Sequence, residues 1–384
     1  MKEIIESYLN IHGSGYVVKV YNKGQITTEI LGNAEDYPNK KVMREDTLFD
    51  IASLTKIFTA TLVYKAYEEG LISLNQKVKE INHKFINLDE ITILDLLSHK
   101  VEIWTKGHLK DTKSEKELDD CLYNSYVKNN KRCYSDTHYI ILSNLLEIIY
   151  NMSFDKLVEE KISKPLGLKS LTFNPNKELL IASTNYETIN NELKDYVLPG
   201  TTHDDKARVA KIYNKYFGHA GIFCNANDLL KFLQTFIDKD NRFLKNETIL
   251  MMLSHDNYEE EIKTMLLDEL GSKEYIGLAN DLFVNNFNKK QAEIIIENLP
   301  KAYNYFGTRF KHVINQKSDV PIEASDLAFV FSGYTGSIVF FDYEEEIIVV
   351  IMTNSVHLTK ISRKERAKNN KEILNKIYHK IKKK

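Results

Sequence analysis

The chain has 384 residues, enough for one large domain or two to three ordinary ones, and its 52 Lys and Arg against 54 Asp and Glu leave a net charge of −2. That balance excludes a protein whose whole surface grips nucleic acid, and a hydrophobic share of 43% excludes general disorder. With 15 Gly and 6 Pro, collagen-like and low-complexity readings fail too, and long structured helices are expected. Residues 3–11 carry Ile4, Ile5, Tyr8 and Leu9 at helical spacing. Two strand-like segments follow, Gly15 to Tyr21 and Gln25 to Leu31, joined across Asn22-Lys23-Gly24 as a hairpin. Helical patterns occupy 57–69, 138–150 and 155–162. Strands return at Ser337 to Phe341 and Ile347 to Met352, separated by a turn, and 360–382 reads as a closing helix. Strands at both ends with helices between predict an α+β fold: one antiparallel sheet completed by the two termini, flanked by terminal helices, with a mainly helical domain inserted.

The closing segment from Lys360 to Lys384 holds eleven Lys or Arg against two acids. An amphipathic helix with a solvated basic face explains it better than an anion-binding tail. Cys121, Cys133 and Cys224 are odd in number and form no C-x-x-C, so neither a zinc knuckle nor a disulfide framework is expected. The acidic start lacks the apolar core of a signal peptide. No run of about 18 apolar residues predicts a membrane span. A cytoplasmic protein without cofactor is the expectation.

Ser53-Leu54-Thr55-Lys56 fits S-x-x-K, in which serine attacks and lysine manages its proton. A serine at a helix start with lysine three residues on places both on one face. The helix N-terminus favours an oxyanion, and burial would lower the lysine pKa. Ser125-Tyr126-Val127-Lys128 and Ser153-Phe154-Asp155-Lys156 repeat the pattern. Ser153, however, reads as an N-cap, and Ser125 sits in a polar stretch. Ser53 differs because it follows Leu48-Phe49-Asp50-Ile51-Ala52 and opens an amphipathic run ending at Gly70.

Here the chain resembles the penicillin-recognising serine hydrolases, closest to class C β-lactamases, their DD-peptidase relatives and related esterases. The stretch F-D-I-A-S-L-T-K carries the likeness, continued by Gly70 to Val78, Ile91 to His99, Tyr134-Ser135-Asp136, Lys164 to Leu168 and Gly218 to Phe223. The resemblance implies a β-lactamase/transpeptidase-like unit over the whole chain. Its α/β part would cover about 1–70 and 300–384, its helical part about 71–240, and a helical insertion or lid about 245–300. It implies Ser53 as nucleophile, Lys56 and Tyr134 as the proton-handling pair, and Asp136 as the residue holding the lysine and the substrate. Thr202-His203-Asp204-Asp205 resembles a further family segment. His203 and His219, sixteen residues apart without H-E-x-x-H, read as turn-stabilising rather than metal-binding.

The third family element is K-T-G or H-T-G on a strand lining the site. Phe331-Ser332-Gly333-Tyr334 stands in its place, before the strand at 337–341. By the resemblance, Phe331, Ser332, Gly333 and Tyr334 line the substrate site, and the Tyr334 and Ser53 amides form the oxyanion hole. Gly333 lets the chain approach a ligand. Phe331 replaces the usual cation, which disfavours carboxylate-bearing β-lactams and D-Ala peptides relative to neutral esters. The expected activity is acyl-serine hydrolysis of a small ester, amide or D-amino-acid peptide. The alternative is a protein that keeps the site shape and binds a ligand without turnover. The partner expected is a small-molecule or peptide substrate, with neither nucleic acid nor metal.

Overall fold

A computed structural model describes residues 1–130, 133–184, 187–189, 192–194, 198–238, 242–253, 321, 323–325, 327–358 and 363–383. Helix α1 (Lys2–His12) leads into strands β1 (Gly15–Asn22), β2 (Gln25–Glu35) and β3 (Lys41–Val42). The last strands, β6 (Ala328–Ser332), β7 (Ile338–Asp342) and β8 (Ile347–Thr353), precede helix α7 (Arg363–Lys382). Together they form one antiparallel sheet of order β6-β7-β8-β1-β2-β3. The two ends of the chain meet where β1 pairs with β8, Val18 opposite Ile351. The expected sheet of terminal segments is present.

Side-chain alternation gives this sheet two apolar faces. The outer face holds Tyr16, Val18, Val330, Phe340 and Val349, and α1 covers it through Ile5 and Tyr8. Helix α7 completes that cover with Ile373, Leu374, Ile377, Tyr378 and Ile381, all buried. The basic terminal segment is thus a helix packed by its apolar stripe. The inner face, with Val17, Phe329, Phe331, Phe341 and Val350, merges with the helical middle into one core.

That middle includes α2 (Thr55–Glu68), α3 (Asp136–Tyr150), α4 (Asp205–Ile212), α5 (Ala226–Ile237) and α6 (Asn246–Leu253). Helix α2 is buried on every side from Thr55 to Tyr64, not on one stripe as the sequence led us to expect. Its threonines make this possible: Thr61 Oγ1 donates to the Ile57 carbonyl at 2.8 Å and Thr59 Oγ1 to the Gly218 carbonyl at 2.7 Å, so neither hydroxyl lacks an acceptor. Gly70, at φ +71°, follows its end. A short ladder of β4 (Phe49–Asp50) with β5 (Phe223–Cys224) anchors the segment entering α2. Of the predicted insertion at 245–300, Asn246–Leu253 is helical and 254–300 lie outside the described residues. Among the described residues, no helix is long and apolar enough to cross a membrane.

Candidate active site

Between β4 and α2 the chain makes a single 3-10 turn, Ala52–Leu54. Ala52 takes φ +46°, a left-handed conformation that a side chain ordinarily avoids. Ser53 sits on this turn and Lys56 one helical turn later, its side chain entirely buried. The Lys56 Nζ donates to Ser53 Oγ at 3.1 Å, Asp136 Oδ1 at 2.8 Å and the His219 carbonyl at 3.0 Å. An ammonium has three donors, and all three are used. The expectation of a lowered lysine pKa is corrected here. Burial does pull it down, but the Asp136 carboxylate and the Tyr134 side chain outweigh burial, and the net shift is upward.

The two other S-x-x-K copies lack this geometry. Ser125 Oγ donates to the Leu122 carbonyl at 2.5 Å, while Lys128 Nζ lies 3.4 Å from the centre of the Trp104 ring. Ser153 precedes a helix as expected, yet its hydroxyl donates to the Asp155 carboxylate at 2.7 Å rather than capping the backbone.

Tyr134 and Asp136 reach the lysine because Ser135 caps α3, accepting the Thr137 amide at 3.1 Å. Asp136 is then the first helical residue, where the N-terminus favours a carboxylate. Lys56 Nζ lies 5.0 Å from the centre of the Tyr134 ring. Behind this motif two buried histidines meet, His99 Nδ1 at 2.8 Å from His138 Nδ1, and the His99 ring lies 4.8 Å from that of Tyr134. Burial pulls the His138 pKa down to about 4.

Asp136 extends the charge network further. Lys206, near the start of α4, lies 3.0 Å from Asp136 Oδ2 and 3.0 Å from Asp204 Oδ2. Asp204 Oδ1 in turn lies 2.9 Å from His219 Nε2. Burial alone would raise both carboxyls; Lys56 with His219 and Lys206 holds Asp136 far below the usual range, and His219 with Lys206 does so for Asp204. Asp136, Asp204 and His219 bring ligand atoms within 4.8 Å of one another, a spacing open to a metal ion. The Lys206 ammonium, however, touches both carboxylates, so the donor set already carries its cation. His203 and His219, read from the sequence as turn stabilisers, stand beside this network, His219 on Asp204 and His203 on Asp50. Lys206 was missed, although the T-H-D-D segment ending beside it had been singled out.

The third motif packs against the nucleophile turn. Phe331, opposite Val339, is 8% exposed and belongs to the inner core, whereas Ser332 beside it is exposed. Gly333 follows, and its close neighbour is protein: a Cβ there would come within 2.5 Å of the Ile51 carbonyl. Its absent side chain admits the nucleophile turn. Tyr334 is about half exposed, and its ring stacks on His203 at 5.2 Å and 26°.

Comparison with known proteins bears on the family and the fold. Over 224 residues the chain is 27% identical to a protein of Salmonella agona (strain SL483) provisionally named D-alanyl-D-alanine carboxypeptidase, covering 50% of this chain and 51% of that one. The chain thus spans about half the length of the curated relatives it matches. EstCE1, a hydrolase with promiscuous acyltransferase activity, superposes with a TM-score of 0.69 at 15% identity over 97% of each chain. A class C β-lactamase of Rhodobacter sphaeroides gives 0.65 at 16% identity over 98% of this chain and 99% of that one. Those two likenesses establish the fold. The β-lactamase family model matches residues 1–371, which takes in both terminal halves of the sheet and the Ser53–Lys56 turn between them, and so the chain belongs to the β-lactamase family.

Proposed function

We propose that the protein is a serine hydrolase acting through an acyl-serine intermediate on a small ester, amide or D-amino-acid peptide. The observation that carries this reading is the buried Lys56 ammonium, shared between Ser53 Oγ and Asp136 Oδ1. An ammonium donating to Ser53 Oγ leaves the serine proton free to move elsewhere, and Tyr134 is its acceptor. Ser53 Oγ attacks the acyl carbon while Tyr134 accepts the serine proton and hands its own phenolic proton to the leaving group, and water then cleaves the acyl-enzyme. The Lys56 ammonium, 5.0 Å from the centre of the Tyr134 ring and bonded to Ser53 Oγ, fixes the two hydroxyl-bearing residues relative to one another. The Ser53 and Tyr334 amides receive the oxyanion.

Phe331 directs the substrate reading. It puts an aromatic ring where the related motif carries a cation, and Lys206 is already engaged by two carboxylates. Neutral acyl esters are therefore favoured over substrates recognised by a carboxylate. The same residue favours a second reading, a ligand binder without turnover. Ser53→Ala separates the two: hydrolysis of p-nitrophenyl acetate should fall about 10³-fold or more with an unchanged melting temperature. A wild-type rate in the folded variant removes Ser53 from the mechanism, and absence of turnover in the wild type leaves the binder.

A further inference from the structure

Asp50 is 1% exposed and touches three segments of the site. Its Oδ1 accepts the Ala52 amide at 2.8 Å and its Oδ2 the His203 amide at 2.7 Å. Its carbonyl accepts Thr335 Oγ1 at 2.8 Å. Ala52 is the residue with φ +46°, and the peptide that follows it carries the Ser53 amide. Thr335 adjoins Tyr334, whose ring stacks on His203. The His203 turn is itself braced by Arg208 Nη1, which donates to the Thr202 and His203 carbonyls at 2.9 and 3.1 Å.

We infer that Asp50 is a positioning residue that holds both arms of the oxyanion hole, the Ser53 amide through Ala52 and the Tyr334 amide through Thr335 and His203. This inference rests on the serine-hydrolase reading above. A carboxylate is suited to the task because both of its oxygens accept, and the two amides it meets only donate. It also keeps Ala52 in a conformation that the backbone alone disfavours. The same requirement makes the site sensitive to acid. Burial pushes the Asp50 carboxyl up to about 6, with Asp204 adding to the rise and the His203 and Ala52 amides and Lys211 opposing it. The Cys224 thiol, on the strand paired with β4, also faces it and is held neutral well above its ordinary range. A proton on either Asp50 oxygen turns an acceptor into a donor that confronts an N–H. One of the two arms then loses its anchor.

The test is Asp50→Asn, whose carboxamide presents one oxygen and one NH2 and so carries that mismatch at every pH. With p-nitrophenyl acetate, kcat should fall about 10- to 100-fold, within the range for impaired oxyanion donors, while KM changes less than about threefold. In the wild type kcat should also decline as pH falls through about 6, and in Asp50→Asn this limb should be gone. A general loss of stability would lower activity without removing the limb. Thr335→Val, which deletes one hydroxyl from the same cluster, should lower kcat by a smaller factor and keep the limb. A wild-type kcat in folded Asp50→Asn, or an acid limb that survives in it, overturns the inference. If Ser53→Ala is inactive while Asp50→Asn is normal, only the positioning role fails; if Ser53→Ala stays active, the hydrolase reading itself fails.

Discussion

Lys56 shows how much one buried charge depends on its partners. Taken alone, a wholly buried lysine would lose its proton easily; with Asp136 at 2.8 Å it keeps it. In the proposed mechanism, lysine and tyrosine act on one proton path, the first as a fixed charge and the second as acceptor. Lys56→Ala and Tyr134→Phe should each lower kcat about 10²-fold or more, the usual scale for acid–base groups. In the double variant the losses should not add, because each single change already disables the shared step. Additive losses, read from kcat in all three variants, would mean separate steps. At this scale the sequence revealed the local pair and concealed the distant partners. Ser53 and Lys56 are three residues apart, close enough for the 3-10 turn running into α2 to place them on one face. Lys206 lies 70 positions beyond Asp136, and only the packing of α4 against the cleft brings their charges to 3.0 Å.

Strand β6 shows the same division among elements. Its residues alternate, Ala328 and Val330 toward the terminal helices, Phe329 and Phe331 toward the helical middle. Phe331 is therefore both a core residue and the occupant of the position that carries the cation in the related motif. Phe331→His should cost about 2 kcal/mol of stability, because an imidazole replaces a ring packed among apolar side chains. The same change should raise the specificity constant for a penicillin relative to a p-nitrophenyl ester by about 10-fold or more. Denaturant melts and the two rates check this; an unmoved ratio would assign carboxylate binding to another cation. The strands themselves were legible because hydrophobic runs of five to seven residues at both chain ends have few other uses. Helix α2 was legible as a helix but not as a central one. Thr59 and Thr61 are buried because the fold supplies the carbonyls that accept their hydroxyls.

For the whole molecule, two buried groups, Asp50 on β4 and His138 on α3, give opposing responses to pH. His138 is held neutral, its pKa near 4, so the stability it contributes is present above about 6.5 and is lost as pH falls from there to about 4. Asp50 is raised to about 6, so folding favours its protonated form, and that contribution is lost as pH rises from about 4 to 6. Each displacement corresponds to about 3 kcal/mol, and over the shared window they largely cancel. The carboxylates of Asp136 and Asp204, held low by their cations, add nothing to this window and lose their contribution only below about pH 4. Unfolding free energy of the wild type should thus change little between pH 6.5 and 4.5. Asp50→Asn, which leaves His138 unopposed, should lose about 2 kcal/mol over the same interval by urea denaturation. Equal slopes in the two proteins would contradict these assignments. None of this could be read from the sequence, where Asp50 belongs to the nucleophile segment and position 138 to a helical pattern, and their burial is a property of the assembled core.

The central claim, that Lys56 and its partners make Ser53 a nucleophile, is tested most directly by intact mass after a fluorophosphonate probe, with the modified peptide sequenced. The account predicts one adduct per chain, located on Ser53, and none in Ser53→Ala. No adduct on the wild type, or an adduct on Ser125, Ser153 or another residue that persists in Ser53→Ala, would contradict it.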